Sequence, residues 1–274
     1  MPDFDPGPVT AQFVALCRDY PDETTYPVSD FRVEWGPIFH RGRLDHSARV
    51  LVIGQDPAQH ETICRRILVG EAGQRTQGFL AKAGIDKSYV IINTYVYSVF
   101  GQAGGDKHAH DPAISDYRNR WLAALLGPGS HVEVVITLGH LAATAWALFK
   151  ATPAGVASNV TVVEITHPTF PESSSAHGST TIPEATKKLL ANWNTGLDAV
   201  RAAVHTPDVV PVPSGHYGTK FADGDLVAIP AFDLPMGFPS WTRSLLSWAQ
   251  RTGSTTAEKR ATITVTIPAS LRPF

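Results

Sequence analysis

Four short polar motifs carry the residues in this chain that could do chemistry. They are Gly54-Gln55-Asp56-Pro57, Asn93-Thr94, Leu138-Gly139-His140 and His167-Pro168-Thr169. Each follows an apolar stretch of strand length. Asp56 could orient a water or stabilise a cation, or it could cap the next turn. Asn93 offers one acceptor and two donors in a fixed direction, which suits the edge of a pyrimidine. It could equally cap a strand end. His167 precedes Pro168, so its backbone is held extended. A neutral imidazole there could donate to an oxygen that gains charge as a bond breaks, or be a satisfied polar residue. His140 reads as a helix-start or packing residue. Gly70-Glu71-Ala72-Gly73-Gln74 spaces two glycines at the start of a helix. The N–H groups of Gly70, Gly73 and Gln74 could hold a phosphate, or the stretch is a plain tight turn.

These motifs need a scaffold that gathers them. Val50–Ile53, Tyr89–Ile92, Val132–Leu138 and Val160–Thr166 read as strands, and the first two are continuous apolar runs of the kind a buried parallel strand shows. Helices are expected over residues 9–19, 74–84, 111–126, 139–150 and 183–204. Asp111-Pro112 supplies one of them with a cap and a first-turn proline. Strands alternating with helices predict an α/β fold, three layers deep, around a central four-stranded parallel sheet. In such a sheet ligands bind beyond the carboxyl ends of the strands, so the motifs are expected at one site. Residues 1–204 read as this domain. Residues 205–274 read as a Pro- and Gly-rich extension packed on it, with strands expected at 226–229 and 261–267.

The totals bound the partners. A net charge of −2 excludes a protein that coats nucleic acid non-specifically. A local basic patch stays open. Arg41, Arg43, Arg49, Arg65, Arg66, Arg75, Lys82 and Lys87 surround the first motif. Arg243, Arg251, Lys259, Arg260 and Arg272 face the single acid Glu258 in the last segment. No apolar run approaches the ~20 residues of a membrane span. Cys17 and Cys64 form neither a metal-ligand spacing nor a disulfide framework, which predicts a reducing cytoplasm, or the nucleoid of a prokaryotic cell.

Taken together, the motifs resemble the uracil-DNA glycosylase superfamily over roughly residues 45–200. Gly54-Gln55-Asp56-Pro57 matches its first motif. Ile92-Asn93-Thr94, followed by Gly101-Gln102-Ala103, is similar to its base-binding strand and loop. His167-Pro168-Thr169 is similar to its second motif, and Val69–Gln74 to the iron–sulfur branch, without that branch's cluster cysteines. The resemblance implies base flipping in DNA and hydrolysis of an N-glycosidic bond, leaving an abasic site. It implies Asp56 positioning water, His167 and Gln55 near uracil O2, and Asn93 reading N3 and O4. It implies no metal or organic cofactor, and a monomer is expected. Three positions depart from the family. Ala58 replaces a methyl-blocking tyrosine, with Gln59, His60 and Tyr95 as substitutes. Leu68 falls where an aromatic stacks on the base, with Tyr95 or Phe79 to compensate. Phe170-Pro171 stands at the DNA wedge. Ala58 motivates an alternative, a glycosylase for hypoxanthine, xanthine or mismatched uracil. A non-catalytic DNA-binding relative is a further alternative. An α/β hydrolase is disfavoured because no Gly-x-Ser-x-Gly occurs.

Overall fold

Val50, Leu51, Val52 and Ile53 are all shielded from solvent, and successive side chains leave a strand on opposite faces. That alternation builds the two sides of the core in this computed structural model, which describes residues 3–100, 102–245 and 247–272, apart from the side chains of residues 102–104 and 256. The strands are β1 (Arg41–Gly42), β2 (Val50–Gly54), β3 (Tyr89–Asn93), β4 (Val134–Leu138), β5 (Thr161–Ile165), β6 (Ala249–Arg251) and β7 (Ile263–Val265). The helices are α1 (Ala11–Arg18), α2 (Gln59–Cys64), α3 (Glu71–Lys82), α4 (Gln102–Lys107), α5 (Pro112–Leu126), α6 (His140–Lys150), α7 (Pro153–Ala157), α8 (Phe170–Ala176), α9 (Ile182–Ala203) and α10 (Thr256–Ala261).

The main sheet runs β1-β3-β2-β4-β5, with β3, β2, β4 and β5 parallel and β1 antiparallel on the edge. Leu51, Ile53, Val90, Ile92 and Val135 pack with Trp121 and Leu122 of α5 and Trp146 and Phe149 of α6. Val50, Val52, Ile91, Ile136 and Val163 pack with Phe79 and Leu80 of α3 and Leu189, Trp193 and Leu197 of α9. Helices on both faces of a mostly parallel sheet give the expected α/β class. The sheet has one strand more than the expected four, because a two-residue edge strand has no periodicity to read.

Asp111 caps α5 as expected, accepting from the N–H groups of Ala113 and Ile114. Other boundaries are corrected. The first crossover helix begins at Glu71, because its amphipathic face reaches back to the glycine start. Residues after His167 wind into α8 instead of staying a serine-rich loop. The strand expected at 226–229 is absent: Val227 donates a single hydrogen bond to the Gln74 carbonyl, and Ile229 fills a small apolar cluster. The last expected strand shortens to β7 and pairs antiparallel with β6. Among the described residues no helix is long and apolar enough to cross a membrane.

The arginines around the first motif are internal fasteners, not a surface patch. Arg41 and Arg43 both reach the buried carboxylate of Asp233, which also accepts from the Tyr89 hydroxyl. Arg66 pairs with Asp5, Arg49 with Glu133 and Lys82 with Asp225. Arg65 donates to the carbonyls of Trp35 and Pro37.

Candidate active site

Strand order reverses where β2 and β4 lie side by side, since the chain leaves β2 towards β3 and leaves β4 towards β5. Loops diverge there and open a crevice at the carboxyl ends. A cleft of about 620 Å³ occupies it, and Gln55, Asp56, Ala58, Glu61, Leu68 and His167 are on its walls.

Asp56 sits just past β2, half-buried, and its Oδ2 accepts the Val99 N–H at 2.9 Å. That peptide is itself held. Arg32, shielded from solvent, donates to the Val99 carbonyl and to Ser98 Oγ at 3.0 Å. Burial, with the nearby Glu61 charge adding to it, leaves the Asp56 carboxyl raised from 3.8 to about 6. The Val99 N–H and the cations Arg32 and Arg251 pull it back. The carboxylate is therefore mostly ionised at neutral pH, yet poorly solvated.

His167 follows β5. Its Nδ1 accepts the Thr169 N–H at 3.2 Å and lies 3.0 Å from Thr169 Oγ1. Burial lowers its pKa to about 4, with Arg75 adding to the depression and Glu172 opposing it. The ring is neutral near pH 7, and with Nδ1 accepting, the proton resides on Nε2. No described residue bonds to Nε2, which leaves a donor on a cleft-lining side chain. The loop is fixed from α3: Arg75 donates to the Pro168 carbonyl at 2.6 Å and grips both Glu172 oxygens at 3.0 and 2.8 Å. Gly139 (φ +81) lets the β4 end pass His167, since a Cβ there would stand 3.1 Å from the His167 Cβ.

Asn93 is not on the cleft wall, because β3 lies on the far side of β2 from the crevice. Its amide is buried one layer beneath, and neither Oδ1 nor Nδ2 has a partner. A Cβ on Gly54 would strike the Asn93 Oδ1, and Leu68 Cδ1 lies 3.8 Å from the same point. Leu68, which lines the cleft, therefore stands close to the amide. It holds a left-handed backbone, φ +52, an unusual conformation for a branched residue. Gly73 is required beneath it, since any Cβ there would collide with the Leu68 carbonyl.

The phosphate-holding expectation for Gly70, Gly73 and Gln74 is corrected. Glu61 Oε1 already accepts the N–H groups of Val69 (2.9 Å) and Gly70 (3.2 Å), while its Oε2 accepts Ala58 N–H at 3.1 Å. Gln74 donates its amide to the Ser244 carbonyl at 2.6 Å, and Gly73 is buried. A protein carboxylate fills the place of the anion. Ala58 is exposed on the cleft, but the residues expected to substitute for a bulky neighbour are turned away. Tyr95 is buried and donates to the Gly105 carbonyl. His60 packs on Trp248 and accepts the Ala249 N–H, and Gln59 reaches the Ala249 carbonyl. Phe79 lies in the core. Phe170 forms part of the cleft wall, half-buried at the start of α8, whereas Pro171 behind it is buried. His140 is exposed at the rim and bonds Asp106 at 3.0 Å. Gly101 lies outside the described residues, as do the side chains of Gln102 and Ala103.

Sequence reasoning missed Glu61 and Arg251. A Glu three residues after Ala58, at a helix start, was the available signal for the first. Only the basic excess of the last segment pointed to the second.

No curated protein matches the chain. A family model described as the uracil DNA glycosylase superfamily matches residues 41–190, more than half of the sequence, and this span contains Asp56, Asn93 and His167. The chain belongs to the uracil DNA glycosylase superfamily and is a DNA glycosylase of base excision repair.

Proposed function

We propose that this protein is a monofunctional uracil-DNA glycosylase that extrudes uracil from DNA and hydrolyses its N-glycosidic bond. The observation that carries the reading is the pairing, on one cleft, of an ionised but poorly solvated Asp56 with a neutral His167 whose Nε2–H is free. As the bond from the sugar C1′ to uracil N1 breaks, the sugar becomes cationic and the base anionic. The Asp56 carboxylate stabilises the cation and orients the water that adds to C1′. His167 donates to uracil O2, where the leaving charge gathers, and Gln55 contributes beside it. Asn93 reads N3–H and O4 once Leu68 moves aside, and Leu68 then provides an apolar surface against the ring. Phe170 holds the duplex apart. Extrusion costs a few kcal/mol of stacking and pairing, least for a mismatched base.

Ala58 supports a second reading, broader action on deaminated bases. Its methyl group leaves room beside the base, and none of Gln59, His60 or Tyr95 fills it. Purified protein challenged with oligonucleotides carrying uracil, hypoxanthine, xanthine or a T·G mispair separates the two. Release of uracil alone supports the first reading. Release of hypoxanthine without uracil overturns it.

A further inference from the structure

The last segment of the chain holds five basic residues and one acid, and it reaches the cleft from outside the family span. Trp248 is buried edge-on against Trp241 and His60. Beside it Ala249 packs on α2, donating its N–H to His60 and accepting from Gln59. β6 therefore starts from a fixed point next to the loop that carries Asp56. Residues two apart on a strand share a face. Arg251 emerges on the face of the buried Ala249, past the edge of that cluster, and lines the cleft with Gln55, Asp56 and Val99. α10 follows, and Arg260 lies over the Phe100 ring at 4.1 Å. Arg32 lies over the same ring at 4.3 Å.

Arg251 and Arg260 have no ion-pair partner among the described residues, and both are exposed. Arg251 is nonetheless near enough to Asp56 to pull its carboxyl down. Glu258, the one acid of the segment, is spent on Ser254 and Thr255 at the start of α10. Arg251 and Arg260 are close enough to Arg32 that their charges add to the burial that pushes its guanidinium down to about 10, against Asp56 and Glu34, which pull it up. Arg32 is internal, but two exposed guanidinium groups without an ion-pair partner at the rim of a cleft suit an anion, and the planar fork of arginine suits phosphate.

We propose that residues 247–272 form an arm that grips the DNA backbone beside the extruded nucleotide, with Arg251 and Arg260 each contacting a phosphate. This rests on the glycosylase reading above and adds to it a DNA contact carried by the extension. Arg32 is internal to the protein and holds the Ser98–Val99 loop; the two arm residues supply the phosphate contacts.

The test uses full-length protein in an Asp56→Asn background, which is expected not to cleave, and a uracil-containing duplex, with affinity measured from 50 to 200 mM salt. Each phosphate contact contributes about 0.9 to the slope of log affinity against log salt. Arg251→Ala and Arg260→Ala should each flatten the slope by about 0.9, and the double variant by roughly twice that. Each single variant then loses about threefold less affinity across this range than its parent. Arg251→Lys should keep the slope, because it keeps the charge. Lys187→Ala, on the exposed face of α9, should keep it too. A double variant with an unchanged slope overturns the arm while leaving the glycosylase reading intact. So does a slope that falls equally in Lys187→Ala. A slower cleavage rate at unchanged slope, measured in the Asp56 parent, assigns Arg251 to the reaction centre and also overturns it. Protein that binds no DNA overturns both readings.

Discussion

Replacing Asp56 with Asn should make the protein more stable and abolish its activity, and both effects should depend on pH in a defined way. Burial raises the carboxyl from 3.8 to about 6. One pKa unit corresponds to about 1.4 kcal/mol, so the ionised group destabilises the folded state by up to about 3 kcal/mol. A carboxyl whose folded pKa lies above its unfolded value binds its proton more tightly when folded. Its penalty is absent below about pH 4, grows between 4 and 6, and is fully present above 6. Asn keeps an oxygen for the Val99 N–H but carries no charge. The Asp56→Asn protein should match the wild type in urea unfolding at pH 4 and exceed it by about 3 kcal/mol at pH 8. Its uracil release should fall by orders of magnitude, and the wild-type rate should rise with pH through about 6. A stability difference that is the same at pH 4 and pH 8 refutes the claim that desolvation of Asp56 sets this site.

Three further outcomes are expected. His167→Ala should lower the single-turnover rate by about 10²–10³, as for the loss of one donor to a developing anion; because burial holds His167 near 4, the limb near 6 belongs to Asp56 and should persist in His167→Ala, and a limb between pH 5 and 8 that vanishes with His167 would contradict the neutral-donor role. Asn93→Asp should lose or alter the discrimination of uracil from cytosine, since a carboxylate cannot donate to O4; an unchanged uracil-to-cytosine ratio in a competition assay removes Asn93 from base reading. Asp233→Ala leaves Arg41 and Arg43 facing each other in the interior without a counter-charge, and should cost about 3–5 kcal/mol in chemical denaturation, with a loss under 1 kcal/mol counting against the network.

β2 and β3 were legible because each is a continuous apolar run, and the alternation of strands with helices carried the rest; the sheet rule then put Asp56 and His167 at one end. Asn93 followed the same rule but stands on β3, across β2 from the crevice, and sequence carries no sign of lateral strand order. The glycine run at Gly70 and Gly73 had the composition of an anion site. Its occupant is Glu61, nine positions earlier, and pairing across a loop leaves no periodic trace. β1 and β6 are two and three residues long, too short for alternation to register. The arginines near the first motif looked like a surface because their partners, Asp233 and Asp5, lie far away in the chain. For those arginines a contact distant in sequence decided the outcome.

The most direct measurement is a crystal structure of the Asp56→Asn protein with a duplex containing one uracil. The account predicts the uracil rotated out of the stack into the cleft between β2 and β4, with its O2 within hydrogen-bond distance of His167 Nε2 and its C1′ facing residue 56. A uracil left in the helix, or bound on a surface away from Asp56 and His167, would contradict it.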